Sequence, residues 1–192
     1  TGCTYIYTTD AGTFDWTERA KIIPSDLDLN NYKFGDNCAI THYGNGSNAL
    51  LVVLSKYIGA DPNGNDSLYI FSTNNSGSNW IQKSKIIVEQ TTNEKLYHDF
   101  GTSLDISSNI TGSLINIIVG SPRTQVNLNG LGKVYFITST NIGNTWIISS
   151  KDTSSIYDVT ITESSLQKNN FGMTVSIDEY AIISCPSLNS QK

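Results

Sequence analysis

The chain has 192 residues, of which 38% are hydrophobic and 15% charged, so it is long enough to bury a core and is neither a coiled coil nor charge-driven disorder. Its formal charge is −5 and its few Lys and Arg residues are scattered, which excludes a nucleic-acid surface, because phosphate binding needs a concentrated cationic face. The longest apolar run, residues 49–54, falls far short of the roughly 20 residues that cross a bilayer as a helix. Polarity comes mostly from Ser, Thr, Asn and Gly, residues of turns and exposed strand faces, which predicts an all-β chain with many corners. Three cysteines, Cys3, Cys38 and Cys185, are too few for a disulfide scaffold and lack the CxxC spacing of a zinc site, so the count leaves the redox compartment open. No signal peptide is visible, and a start at Thr1 rather than Met fits a processed product or a fragment.

In chain order, the first predicted element is an aromatic, alternating strand over residues 3–8, followed by a strand opened by Trp16 and running to 23. A polar loop leads to Phe34-Gly35, and a continuously apolar strand follows at 50–54. The stretch Asp61-Pro62-Asn63-Gly64-Asn65-Asp66 has the residues a hairpin turn demands, and the series then starts again. Residues 67–72 alternate, Trp80 opens 80–88, Phe100-Gly101 leads into 101–106, and 115–119 is apolar before Gly120-Ser121-Pro122. A third round runs through 133–138, Trp146 with 146–150, Phe171-Gly172, 172–177 and 181–183, ending in Ser184-Cys185-Pro186. Two copies share a further detail after the Trp, Lys21-Ile22-Ile23 and Lys85-Ile86-Ile87. Three copies agreeing in order and spacing mark an internal repeat of about 65 residues.

Each repeat predicts four antiparallel strands. The alternating strands bury one face and the continuously apolar ones bury both. Such a sheet cannot cover both faces alone, so neighbouring sheets must stack. Radial stacking gives a β-propeller, with the Phe of each Phe-Gly pair wedged between blades and its Gly free to adopt positive φ or allow close backbone approach. The aromatic residues are expected to be core, and Cys38 a small buried residue. The expected fold is therefore an all-β propeller segment: a half blade at 1–33, blades at 34–99 and 100–170, and a complementary half blade at 171–192.

The strings Leu68-Tyr69-Ile70-Phe71, Trp80, Lys85-Ile86-Ile87, Phe100-Gly101 and Ile118-Val119-Gly120-Ser121-Pro122 resemble the FG-GAP repeat family, found in integrin α-chain propellers and bacterial surface proteins. The resemblance runs through nearly the whole chain. It implies a propeller, usually of seven blades, with roles in adhesion, ligand display or extracellular scaffolding. Many family blades hold calcium in a DxDxDG loop between their first two strands. The matching segments, 40–46 and 106–112, carry no carboxylates at ligand positions, and calcium needs six to eight oxygens with charge. The usual calcium loop is thus absent and no cofactor is expected. The nearest approach to a metal set, Asp61, Asn63, Asn65 and Asp66, falls in a different loop and is read as a turn. Three repeats also fall short of the four to eight blades of a closed ring. The missing blades belong to a longer propeller or to a partner, and two copies would give six by exchanging half blades. In the repeat register Cys3 matches Lys133 and Cys185 matches Ser121, at facing ends of neighbouring strands. A Cys3–Cys185 disulfide is the resulting hypothesis, within one chain or between two.

Residues 139–146, Ser139-Thr140-Asn141-Ile142-Gly143-Asn144-Thr145-Trp146, also resemble the Asp-box turn (SxDxGxTW) of sialidases and related propellers, with Asn in place of Asp. That turn is structural. A sialidase would need clustered arginines to grip a carboxylate, and Arg19 and Arg123 are the only two. His42 and His98 fall in different repeats, Asp99 is read as a turn cap, and no nucleophile–base arrangement is discernible. Sequons at Asn45, Asn65, Asn74 and Asn109 fit an exposed protein without demonstrating one. The expectation is a non-enzymatic extracellular, cell-surface or virion-surface protein. Its partners would be other protein chains or further blades, in adhesion or in particle or filament assembly. A carbohydrate-binding propeller is the alternative, and the Asn- and Ile-rich composition keeps a virion component in view.

Overall fold

The structure is a computed structural model and describes residues 2–9, 12, 15–26, 31–44, 48–59, 64–74, 77–88, 100–122, 132–152 and 171–184. Every regular element among them is a strand, in four antiparallel sheets met in chain order. Sheet I pairs β1 (Thr4–Thr9) with β2 (Trp16–Ile22). Sheet II runs β3 (Tyr32–Tyr43), β4 (Asn48–Tyr57), β5 (Ser67–Thr73), β6 (Ile81–Ile87), each strand beside the next. Sheet III repeats this order with β7 (Ser103–Ser108), β8 (Ile115–Ser121), β9 (Lys133–Ser139) and β10 (Ile147–Asp152). Sheet IV pairs β11 (Val175–Ile177) with β12 (Ala181–Ile183). No helix among the described residues is long and apolar enough to cross a membrane.

The register is the same from sheet to sheet. Cys38 faces Val53, Leu104 faces Val119 and Val175 faces Ile183. Further along, Ser55 faces Ser67 and Ser121 faces Lys133. The apolar second strands β4 and β8 sit mid-sheet and are buried on both faces, with Leu50, Val52, Val53, Leu54, Ile115, Ile117, Ile118 and Val119 all inaccessible. Each such side chain contributes about 1.5–3 kcal/mol relative to exposure.

Three cores lie between successive sheets. Ile6 and Ile22 of sheet I meet Phe34, Leu51, Val53, Tyr69 and Phe71 of sheet II. The other face of sheet II, with Leu50, Val52, Leu54, Leu68 and Ile70, packs on Phe100, Ile115, Ile117, Val119 and Ile137 of sheet III. Ile118 and Val134 then meet Phe171, with Val175, Ile177 and Ile183 of sheet IV against them. Each Phe of a Phe-Gly pair therefore fills the space between its own sheet and the one before. The following glycines adopt φ of 86°, 78° and 86° at Gly35, Gly101 and Gly172, a region closed to most side chains.

Two expectations are corrected. Trp16 is not core: it is largely exposed, as are Tyr5 and Tyr7 on the same sheet, because no described sheet covers that face of sheet I. Cys38 is exposed rather than buried; it follows the irregularity between Phe34 and Cys38 that re-aims β3.

Candidate functional site

The most constructed polar features of the molecule are the seams where first strands meet. β3 and β7 lie in contact, as do β7 and β11, and the same side-chain position bridges both seams. Asn37 Nδ2 donates to the Gly101 carbonyl at 3.0 Å, and Ser103 Oγ to the Gly172 carbonyl at 2.8 Å. Farther along, Ser108 Oγ donates to the His42 carbonyl at 2.9 Å. The Asp105 carboxylate accepts from Ser176 Oγ at 2.9 Å and from the Ile177 N–H at 2.8 Å. These bonds tie sheet to sheet through fixed backbone groups, so the seam sets the angle between neighbours. Toward the fourth strands, Ile86 and Val88 of sheet II stay in the core shared with sheet III, with Trp146 packed against it. An open groove there is lined by Ile87 and Val88 at the end of β6 and by Tyr135, Ile148 and Ser149 across from them.

A second repeated feature joins third and fourth strands. Lys21 pairs in register with Tyr5, and Lys85 with Tyr69. Each ammonium lies over its ring, at 5.5 and 5.0 Å from the centroid. In sheet III the lysine comes from the strand of Tyr135 itself, with Lys133 Nζ at 4.9 Å, a cation–π contact by a different route. Lys85 also bonds Asp26 Oδ2 at 3.1 Å, and Gln82 Nε2 donates to Asp26 Oδ1 at 3.3 Å. Burial opposes ionisation of Asp26, but these hydrogen bonds and the Lys85 charge outweigh it and hold the carboxyl below its ordinary value. Burial likewise works against the Lys85 ammonium, and its contacts with Tyr69 and Asp26 reverse the balance and raise it.

The turn at 139–146 is built as the resemblance to an Asp-box implies. Asn141 Oδ1 accepts from Ser139 Oγ at 3.0 Å and from the Thr145 N–H at 2.9 Å, and Asn141 Nδ2 reaches Thr145 Oγ1 at 2.8 Å. Ser139 Oγ accepts the Gly143 N–H at 3.0 Å, and Trp146 Nε1 crosses to Ser84 Oγ of sheet II at 2.9 Å. This turn is an internal brace that also pins two sheets together, a role the sequence did not disclose.

Of the four residues nearest to a metal set, Asp61 and Asn63 lie outside the described residues. Asp66 is buried and accepts the Tyr57 N–H at 2.7 Å, and Asn65 is half-buried beside it. Among the described residues no three His, Cys, Asp or Glu side chains are placed to hold a metal. In the segment matching a calcium loop, Asn109 Oδ1 accepts from the Leu114 N–H at 3.1 Å and from Thr111 Oγ1 at 3.2 Å, so its oxygen serves the loop itself. Arg19 bonds Thr8 Oγ1 at 2.8 Å on sheet I, and His42 is exposed on β3. His98, Asp99, Arg123 and Cys185 lie outside the described residues, and Cys3 is half-buried at the start of β1.

No protein-family model matches the chain, and no curated protein matches it.

Proposed function

We propose that the chain is a segment of a β-propeller of the FG-GAP type that works by protein contact rather than catalysis, at an extracellular, cell or virion surface. The observation that carries this reading is the repeated stacking of like sheets. First strands are bound side by side at the seams, and each sheet shares a core face to face with the next. Repeated sheets stacked in this way close into a ring once enough are present. The sheets at the two ends of the described order, I and IV, have two strands where II and III have four. Each thus offers a strand edge, the ready template for pairing with another chain. Adhesion or particle assembly follows from such edges without any chemistry.

Electron microscopy of the purified particle tests the reading. A ring of radial sheets about a central channel is the expected image, and an elongated or channel-free stack would overturn it. The exposed Trp16 favours a second reading, carbohydrate stacking. Saturable binding on a glycan array, abolished in Trp16→Ala, would replace protein contact with that role.

A further inference from the structure

The surroundings of the sequons separate one of them from the rest. In Asn65-Asp66-Ser67 the acceptor is half-buried, its two neighbours are each 2% exposed, and Ser67 is locked in β5 opposite Ser55. Asn45 lies outside the described residues, as do Asn75 and Ser76 of the Asn74 triplet. Asn109-Ile110-Thr111 forms the tip of the turn between β7 and β8, and all three residues are exposed, Ile110 by 83%.

This tip is held in place by bonds that leave the acceptor nitrogen within reach. The Asn109 N–H donates to the Leu114 carbonyl at 3.0 Å, and the Gly112 N–H to the Asn109 carbonyl at 2.9 Å. From sheet II the Gly44 N–H donates to the Ile110 carbonyl. Gly112 sits so close to Tyr43 that a Cβ would fall 2.4 Å from its ring, so the tip rests on sheet II and its side chains point outward. Asn109 Oδ1 accepts the Leu114 N–H and the Thr111 hydroxyl, and Nδ2 donates to Ser113 Oγ at 3.0 Å. A side-chain amide nitrogen carries two hydrogens. One serves Ser113, and replacing the other by a sugar keeps every bond of the turn.

The location also suits a glycan. Ile115 faces Ser139 across β8 and β9, so the Asn109 and Asn141 turns share one end of sheet III. Ile110, Leu114 and Ile142 at that end are 83%, 40% and 41% exposed, and a bulky, solubilising glycan would screen such apolar surface from chance contact.

Resting on the extracellular or surface location proposed above, we propose that Asn109 is an N-glycosylation acceptor for an oligosaccharide carried on a lipid pyrophosphate. Nδ2 forms a bond to the anomeric carbon of the first sugar, and the bond from that carbon to the phosphate oxygen breaks. The lipid pyrophosphate leaves with the electron pair, Nδ2 gives up one proton, and nothing is oxidised or reduced.

The test is peptide mapping of the protein recovered from the cells or particles that make it. Treatment with peptide N-glycosidase in heavy-oxygen water converts each glycosylated Asn to a labelled Asp. Label is expected at Asn109 and not at Asn65. In the same host Thr111→Ala should abolish the Asn109 label. Thr111→Ser keeps the hydroxyl and should retain it, as should Ser113→Ala, which breaks a bond of the turn but leaves the triplet intact. A surface protein bare at Asn109 overturns the assignment and leaves the location standing, whether or not another sequon carries label. A protein confined to the cytosol and bare at every sequon removes both.

Discussion

Asn141 shows how much one side chain can carry. Its carbonyl oxygen takes two hydrogen bonds and its amide a third, holding a turn in which Ile142 has φ of 58° and Gly143 of 75°. A β-branched residue at positive φ is a costly conformation, kept because the bonds around it leave no alternative. Asn141→Ala removes the hub and should destabilise the chain by about 0.5–1.5 kcal/mol, the net worth of a hydrogen bond at a largely exposed turn. Asn141→Asp should stay within about 0.5 kcal/mol of the parent, since the essential role is as acceptor and the Thr145 hydroxyl can rotate to donate. Urea titration of both variants checks the contrast. Asp26 gives a pH signature of its own. Its folded pKa is depressed, so the Lys85 contact contributes fully above the unfolded carboxyl value of about 3.9 and fades as pH falls through the lower folded value. The Asp26 side chain is 45% exposed, so solvent screening keeps the effect to about 0.2–1 kcal/mol. Melting curves of the parent and Asp26→Asn should differ at about pH 6, well above that carboxyl value, and converge at the acid end; a gap that persists there would show that the carboxylate charge is not the cause.

At the scale of the element, the Phe-Gly pair is a packing device. The ring fills the space between two sheets, and the glycine lets the chain turn without a Cβ. At Gly101 a Cβ would fall 2.2 Å from Leu54 Cδ2, while at Gly12, also at positive φ, it would meet nothing within 4 Å. Both substitutions by Ala strain the backbone, by about 1–2 kcal/mol, but only Gly101→Ala adds overpacking of about 1–3 kcal/mol. Denaturation midpoints should therefore separate the two, and equal losses would show that backbone strain alone sets the cost. Phe-Gly, the apolar second strands and the repeat order were legible in the sequence because each expresses a local constraint: ring volume, glycine freedom or two-sided burial. The exposure of Trp16 and Cys38 was not. Trp16 sits at the same repeat position as Trp80 and Trp146, and its burial depends on whether another sheet lies against it, which residues 3–23 do not encode. The seam contacts of Asn37 and Ser103 were equally hidden, since short polar residues on a strand look alike whether they face solvent or a neighbouring backbone.

The whole molecule is a row of nearest-neighbour contacts, each sheet stabilised by those that flank it. Stability should therefore be graded, highest where both neighbours are present. Sheets II and III share the largest core, from Leu50 through Ile137, whereas sheet I has a core on one side only and leaves Tyr5 and Tyr7 bare. Phe100→Ala, at the centre of the row, should cost about 3–5 kcal/mol and uncouple two halves that otherwise unfold together. Hydrogen exchange reads the same gradient amide by amide, because protection spans from fraying edges to the global stability. Amides of β4, β5, β8 and β9 should exchange slowest at every protein concentration. Those of β1 and β12 that point away from β2 and β11 have no ladder partner among the described residues and should exchange faster. Exchange at β4 and β8 as fast as at β1 and β12 would show that stability is uniform along the row rather than graded from its centre.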